Sequence, residues 1–244
     1  MSSTEELAAL RRQLDELTSE VALLRDAQAI RRVQFAYGYY MDKGLYQEVV
    51  DLFAEAGEVR FMGGVFRGRD AGVRRLYIER FRNTFTRGHN GPVYGLMLEH
   101  VQLQDIVDVA ADRRSAHGRF RAFMQAGSHV SNTQRPQGIP LQWWEAGVYE
   151  NTYVREAGVW KIQVLNYCLS WQADYEQGWA HSKPYTGAFF QRTYPQDPRG
   201  PDEILPERPA FWPETALVPF HFPHPVTGKP HPLPPPGSAP APQA

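Results

Sequence analysis

The chain has 244 residues, of which 42% are hydrophobic, so it is long enough to bury a core of its own. Its 26 lysines and arginines nearly balance its 27 aspartates and glutamates, giving a formal net charge of -1. This balance provides no electrostatic reason to expect nucleic acid or an anionic membrane surface as a partner. We therefore expect one compact domain with extensions and a small, uncharged partner.

Cysteine usage and the N-terminal residues indicate the compartment. Cys168 is the only cysteine, which excludes an intrachain disulfide and a zinc site built from cysteines. The N-terminal sequence MSSTEELAAL lacks a basic region followed by an apolar run, and no stretch approaches the roughly 18 apolar residues of a membrane helix. We expect a cytoplasmic protein that does not bind a membrane.

Residues 1–28 are predicted to form an N-terminal amphipathic, coiled-coil helix. Apolar residues recur there at alternating spacings of three and four, which is the seam of a heptad repeat: Leu7, Leu10, Leu14, Leu17, Val21 and Leu24. An isolated helix of this length is marginal in water, so the stripe requires a partner. Self-association is the favoured interpretation, and packing on the chain's own domain is the alternative.

Residues 29–181 are predicted to form an α+β domain. The first helix continues to Gly44, where a glycine can cap it, and a short second helix, a strand pair and a third helix follow. Four long strand patterns separated by turn signals then make an antiparallel meander. Helices first and strands afterwards favour helices packed on one face of a curved sheet. The link GSHVSNTQRPQGIPL between two strands is either a lid or a mobile surface loop.

Residues 182–244 are predicted to form an extended, proline-rich arm with a disordered end. Dense proline excludes regular helix and inner strand, while Phe211, Trp212, Phe220 and Phe222 are too apolar for a free linker. We expect the arm to lie across its own domain or a neighbouring subunit. The histidines of HFPH within this arm are not expected to bind metal.

One stretch, FAYGYYMDKGLYQEVVDLF, surrounds the acid Asp42 with aromatic and apolar side chains, although a buried carboxylate needs a partner. Together with GVFRGRDAGVRRLY, LEHVQLQ and GVYENTYVREAGVWKI, it resembles the SnoaL-like group of the nuclear transport factor two superfamily. The resemblance covers residues 29–179. It implies a helix-lined cone over a strongly curved antiparallel sheet, with the ligand inside the cone.

The resemblance also implies a catalytic set. In the scytalone and bile acid dehydratases, which this chain resembles, an aspartate ending the first long helix pairs with a strand histidine, and Asp42 and His100 match these positions. Tyr37 matches a tyrosine of the bile acid enzymes. Arg119 falls where scytalone dehydratases have a second histidine, and it would stabilise a developing oxyanion. A carboxylate that fixes the imidazole tautomer would make the other ring nitrogen a better base.

The remaining site predictions are substrate-binding residues on the elements that would surround the cone. Aromatic walls favour flat apolar ligands. Because successive helical residues are about 100° apart, Tyr37, Tyr39 and Tyr40 cannot all face the pocket. The predicted substrate-binding residues are Phe35, Tyr40, Phe61, His117, Trp144, Tyr149 and Tyr167.

The predicted function is a cofactor-independent lyase that eliminates water, formaldehyde or both from a hydroxylated aromatic or polycyclic small molecule. The sequence has no phosphate-binding glycine loop, nicotinamide fingerprint or metal triad, so neither cofactor nor metal is expected. Dehydratases and the diarylpropane formaldehyde lyases of lignin-degrading bacteria are the models for this reaction. The alternatives are an isomerase or polyketide cyclase, and a non-catalytic binding protein like the small subunit of ring-hydroxylating dioxygenases. A homo-oligomer is expected. The resemblance to the dehydratases favours a trimer over a dimer, whereas the leucines and valine of the heptad seam do not choose between the two.

Overall fold

The computed structural model describes residues 3–182, 189–206 and 212–231. Helix α1 spans Ser3–Asp42 and helix α2 spans Tyr46–Asp51. A third helical stretch, α3, is wound as π-helix over Gly68–Val73 and Arg75–Arg82 and ends as α-helix over Asn83–Phe85. A short 3₁₀ turn covers Trp179–His181.

The described part of the chain contains seven strands: β1 (Phe53–Phe61), β2 (Gly64–Arg67), β3 (Leu96–Val109), β4 (Ser115–Ser128), β5 (Gln142–Glu156), β6 (Val159–Asp174) and β7 (Glu203–Ile204). They form one sheet in the order β3-β4-β5-β6-β1-β2-β7. Neighbours pair in antiparallel fashion except β1 and β6, which are parallel. Helices that precede a long antiparallel meander confirm the predicted α+β class.

Breaks in strand register bend the sheet. The β3/β4 pairing shifts between Gln102 and Asp105, and the β5/β6 pairing shifts at Ala146/Gly147 and again at Thr152/Tyr153. Such bulges increase the local twist and bend a strand. The concave face holds the main core against α1, α2 and α3, so the structure has the helix-lined cone that the resemblance implied.

The end of α1 is fixed by a glycine cap, as the sequence predicted. Gly44 has a φ of 63°, its N–H donates to the carbonyl of Met41 at 3.2 Å, and the N–H of Leu45 donates to the carbonyl of Tyr40 at 2.9 Å. This pair of bonds is a Schellman motif. Asp42 is therefore the last residue of the helix, next to Met41, which is buried in the core.

Helix α1 has two halves with different surroundings. Its buried residues all lie between Asp26 and Met41, where the helix packs on β3 and β6. The six apolar residues of the predicted heptad seam lie in the other half, and each is between 44% and 71% exposed. Within the part of the chain that the structure describes, nothing covers this stripe.

The described parts of the arm lie across the domain of the same chain. Phe190 is buried and packs edge-to-face on Phe66, with 5.6 Å between the ring centroids. Strand β7 extends the sheet beside β2, and the N–H of Trp212 donates to the carbonyl of Ser170 at 3.0 Å. Phe211 and the predicted disordered end, residues 233–244, fall outside the described residues.

Among the described residues, no helix has the length and apolar character needed to cross a membrane.

Asp26 anchors the buried half of α1 to the sheet, and its loss is expected to destabilise the domain. Its carboxylate accepts hydrogen bonds from Arg113 Nε at 2.5 Å and from the indole N–H of Trp160 at 3.0 Å. Asp26→Ala leaves the buried indole without an acceptor, so we expect the unfolding free energy to fall by about 1–3 kcal/mol at pH 7. Urea denaturation measures this, with Asp15→Ala on the exposed half of α1 as control.

The same variant should change how stability depends on pH. The Arg113 hydrogen bond lowers the pKa of the Asp26 carboxyl below its ordinary value of 3.8. A depressed pKa contributes stability above the unfolded value, and this stability is lost as pH falls through the folded value. The difference between wild type and Asp26→Ala should therefore narrow below about pH 4. A difference that stays constant with pH would contradict this role.

Candidate active site

A cavity of about 300 Å³ occupies the concave face between the sheet and the helices. Most of its wall is apolar or aromatic, and the polar side chains are few. They belong to Tyr37, Tyr46, Tyr77, His100, Trp143, Glu145, Tyr149, Tyr167 and Gln172. An apolar pocket with a few convergent polar groups is the usual form of a small-molecule site.

Asp42 and His100 are paired at one end of this cavity. The Asp42 Oδ1 atom accepts the backbone N–H of His100 at 2.5 Å and lies 3.2 Å from His100 Nδ1. Because a carboxylate only accepts hydrogen bonds, Nδ1 carries the ring proton in this contact. The side chains are only 10% and 12% exposed respectively, so this contact is largely removed from water.

A glycine allows α1 to approach β3 closely enough for this pairing. A Cβ atom on Gly38 would lie 3.0 Å from the carbonyl oxygen of His100 and 3.0 Å from Cγ of Gln102. Any larger residue would therefore push the helix away from the strand. Gly38 lies one helical turn before Asp42, and the close approach it permits brings the carboxylate to His100.

His100 lines the cavity, whereas Asp42 lies behind it. Among the described residues, no hydrogen bond engages His100 Nε2. With Nδ1 protonated, Nε2 is the unprotonated nitrogen and has a lone pair available to a ligand. The pair can therefore act as a base in the cavity, with Asp42 as a positioning residue.

Glu145 is a second titratable group in the same cavity, and the sequence predictions did not include it. It is 9% exposed, and its two carboxyl oxygens accept Tyr167 O–H at 2.9 Å and Gln172 Nε2–H at 3.2 Å. Burial raises the pKa of the Glu145 carboxyl, and the Tyr167 hydrogen bond opposes the shift only in part. Glu145 thus holds its proton to higher pH than an exposed glutamate does.

The sheet places His100 and Glu145 in one row across the cavity. His100 pairs with Met124 on the next strand, Met124 pairs with Glu145, and Glu145 pairs with Gln172. Directly paired residues share a face, so this row points into the cone. His100 and Glu145 are two strands apart, which separates their backbones by about 10 Å. This separation leaves room for a ligand between the two side chains.

Tyrosines form the wall beside this row. Tyr37 and Tyr77 share a hydrogen bond of 3.1 Å between their hydroxyls, and the rings of Tyr149 and Tyr167 lie 4.7 Å apart. Burial raises the pKa of Tyr37 to about 12 and raises the pKa values of Tyr77, Tyr149 and Tyr167 well above the ordinary value of a phenol. These phenols therefore stay protonated at neutral pH and serve as hydrogen-bond donors.

The structure brings some of the predicted residues together and separates others. Tyr37, His100, Phe61, Tyr149 and Tyr167 line the cavity. The other predicted site residues do not line it: Phe35, Tyr40, Asp42, His117, Arg119 and Trp144.

Arg119 and His117 lie on the opposite face of the sheet. Phe120 points into the core, so its neighbour Arg119 points outward, and His117 follows by alternation. The Arg119 guanidinium binds Glu150 at 2.5 Å and the carbonyl of Pro219 in the arm at 3.0 Å, and His117 stacks on His221. The structure thus contradicts the predicted roles of Arg119 and His117 in the cavity.

The three aromatic residues among these, Trp144, Phe35 and Tyr40, also lie outside the cavity. Trp143 points inward, so Trp144 points outward, where it stacks between Phe123 and Tyr175. Phe35 and Tyr40 are both on α1; Phe35 packs edge-to-face on Phe120, and Tyr40 packs against the main core. These three residues therefore support the walls of the cone from outside the cavity.

Two segments beyond the sheet and helices also reach the cavity. Gly138, Ile139 and Pro140, from the long link between β4 and β5, line it, which gives this link the position of a lid. Phe189 of the arm lines it as well and packs on Phe61 with 5.9 Å between the ring centroids.

Within the described ranges, no group of three or more His, Cys, Asp or Glu side chains is arranged to hold a metal ion.

Residues 22–166 match the family model of the SnoaL-like domain. No curated protein matches the chain. Among solved structures, a proposed scytalone dehydratase from Novosphingobium aromaticivorans is similar, with 21% identity, a TM-score of 0.49, and coverage of 72% of this chain and 99% of that chain. A hexachlorocyclohexane dehydrochlorinase (LinA, type 2) is 20% identical with a TM-score of 0.46, covering 66% of this chain and 91% of its own.

Glu145→Gln is expected to alter the pH dependence of stability. A carboxyl whose pKa is raised by folding binds its proton more tightly in the folded state, so stability falls as pH rises above the ordinary value of 4.5. Glutamine does not ionise, so the variant does not lose stability in this way as the pH rises. The variant should therefore gain stability relative to wild type as the pH rises above about 4.5.

Urea denaturation at several pH values measures this, with the exposed Glu79→Gln as the matched control. Parallel pH profiles for wild type and Glu145→Gln would contradict a raised pKa at Glu145.

Proposed function

Because the chain belongs to the SnoaL-like domain family, we propose that it is a cofactor-independent lyase acting on a hydroxylated aromatic small molecule. The observation that carries this proposal is the placement of His100 and Glu145 two strands apart in the wall of one apolar cavity. One group is held as a base and the other holds its proton to higher pH than an exposed glutamate does, and an elimination requires such a pair of groups.

His100 is the proposed general base. Its Nε2 takes a proton from a carbon beside a carbonyl group, and the electron pair forms the new double bond. The imidazolium that results is stabilised by Asp42, whose Oδ1 already holds Nδ1. Because the pair is shielded from water, this electrostatic support is stronger than it would be in solution.

Glu145 is the proposed general acid. Its raised pKa keeps the carboxyl protonated beyond the range of an exposed glutamate. The proton passes to the departing hydroxyl group, which leaves as water, and the glutamate anion then accepts the Tyr167 and Gln172 hydrogen bonds. Transfer of the His100 proton back to Glu145, directly or through water, completes the cycle.

The same groups support loss of formaldehyde. His100 would then take the proton of a primary alcohol, the adjacent C–C bond would break to release formaldehyde, and its electrons would expel a benzylic hydroxide. Glu145 protonates that hydroxide, so the products are an alkene, formaldehyde and water. Both eliminations use one base and one acid in the same positions.

The cavity favours a compact aromatic substrate. Its volume of about 300 Å³ lies at the small end of ligand pockets, which suits one or two rings better than a four-ring polycycle. The rings of Tyr149 and Tyr167 offer stacking surfaces, and Phe61 and Phe189 close the apolar wall. The outward position of Arg119 leaves the phenols, led by Tyr37, as the donors for an oxyanion.

A product screen tests the proposal. Purified protein in chelator-treated buffer is incubated with phenolic diarylpropanediols and β-hydroxy carbonyl compounds, and product mass and formaldehyde are measured. We expect loss of water, or of water and formaldehyde, with activity reduced roughly 10²–10⁴-fold in His100→Ala. His117→Ala should keep its activity, because this histidine lies on the other face of the sheet.

Three outcomes would contradict the lyase. Products of unchanged mass would indicate an isomerase or cyclase. Binding without turnover in wild type would indicate a ligand-binding protein. Activity lost to chelator and restored by zinc would indicate metal catalysis.

Asp42→Asn is expected to reduce kcat without abolishing substrate binding. Asparagine can still accept the backbone N–H of His100, but it is neutral and cannot stabilise the imidazolium. We expect kcat to fall roughly 10- to 100-fold with little change in KM, since Asp42 does not line the cavity. Glu99→Gln, a half-exposed acid beside His100 in sequence, serves as control. An unchanged kcat in Asp42→Asn would contradict the positioning role.

A further inference from the structure

The exposed half of α1 carries a second feature that the cavity does not explain. Its apolar seam follows the a and d positions of three heptads, with Leu7, Leu14 and Val21 at a and Leu10, Leu17 and Leu24 at d. All six are exposed, and the described chain offers them no cover. A contiguous apolar stripe of this length marks an interaction surface.

This half of α1 is helical without a partner because the other half is anchored. Residues from Asp26 to Met41 are fixed on the sheet, so helix nucleation, the costly step, is already complete when residues 3–25 extend from it. A preformed helix loses little further backbone entropy when it binds. Three heptads, which are marginal as a free peptide, therefore become a competent docking element.

The charges that flank the seam identify the occupant. Position g of the repeat holds Glu6 and Glu20, with Gln13 between them, and position e holds Arg11 and Arg25. In a parallel pair of identical helices, each g residue faces the e residue five positions further along the other chain. Glu6 then meets Arg11 of a second copy, and Glu20 meets Arg25 of a second copy.

The opposite orientation is disfavoured by the same residues. In an antiparallel pair, g positions face g positions and e positions face e positions. Glutamate would then lie near glutamate and arginine near arginine, which is repulsive. Within the described part of the chain, no salt bridge engages Glu6, Arg11, Glu20 or Arg25, so all four charges are available to another chain.

We propose that the exposed half of α1 binds the same half of a second copy of this chain in a parallel, in-register coiled coil. The domains of the assembled chains then lie at the same end of the coiled coil, and each cavity is complete within its own chain. This inference is independent of the proposed function, because none of its residues lines the cavity.

The seam is tested with the full chain by light scattering after size-exclusion chromatography. Wild type should be an oligomer, and Leu14→Glu/Leu17→Glu should raise its dissociation constant by roughly 100-fold or more. Ala8→Glu/Ser19→Glu, which adds the same charge away from the seam, should leave the mass unchanged. A monomeric wild type, or an oligomer that survives the Leu14→Glu/Leu17→Glu change, overturns the proposal.

Orientation is tested by disulfide cross-linking in a Cys168→Ser background. Leu10→Cys places a thiol at a d position, where two parallel in-register helices bring it next to its counterpart, so covalent dimers should form on oxidation. Arg12→Cys at the outer f position should not cross-link. Oligomers in which Leu10→Cys fails to cross-link overturn the parallel arrangement.

The charge pairs are tested separately. Glu6→Lys/Glu20→Lys should weaken association, and the further change Arg11→Glu/Arg25→Glu should restore it, since the g and e charges are then complementary again. An antiparallel assembly would show neither effect. Its g positions face g positions and its e positions face e positions, so each contact still joins like charges after the sign of both residues is changed.

Discussion

The carboxylate of Asp42 is the contact on which the site depends. It receives two N–H groups of His100 at the last residue of α1, where the negative end of the helix dipole would otherwise disfavour a second negative charge. The contact requires that α1 end at Asp42, which Gly44 ensures, and that α1 lie close against β3, which Gly38 permits. Helix length, helix position and imidazole tautomer are therefore linked through one oxygen atom.

The second titratable group of the cavity has the complementary property. Glu145 lies in a wall of tyrosines that cannot ionise at neutral pH, and burial raises its pKa, so its carboxyl holds a proton to higher pH than an exposed glutamate does. A histidine fixed by an aspartate and a glutamate whose proton is retained by burial lie two strands apart in one row of the sheet, without an ion pair between them. The cone thus supplies acid and base through two environments on one sheet. The exposed half of α1, at the other end of the helix, has no part in this chemistry and carries its own heptad pattern.

The sequence allowed the fold and one half of the site to be predicted. The helix end at Gly44 and the long meander were carried by local patterns, and the structure confirms them. The family came from a resemblance, and the match of residues 22–166 to the family model confirms it. The pairing of Asp42 with His100 was available only through resemblance, because 58 residues separate the two partners. Glu145 could have been found, since it stands in phase with Tyr149 and Trp143 on β5. The predictions that Arg119 and Trp144 face the cavity were wrong for one reason. Each residue is next to an inward-facing neighbour on its strand, so strand alternation points its side chain to the outer face of the sheet.

The most direct test of this account is the protonation state of the His100 ring, measured by ¹H–¹⁵N correlation NMR at neutral pH with His100→Ala for assignment. The account predicts a proton on Nδ1, none on Nε2, and a change in the Nε2 chemical shift when a phenolic ligand is added. A ring protonated on Nε2 and insensitive to the ligand would contradict the account, because His100 would then have no lone pair to offer the cavity.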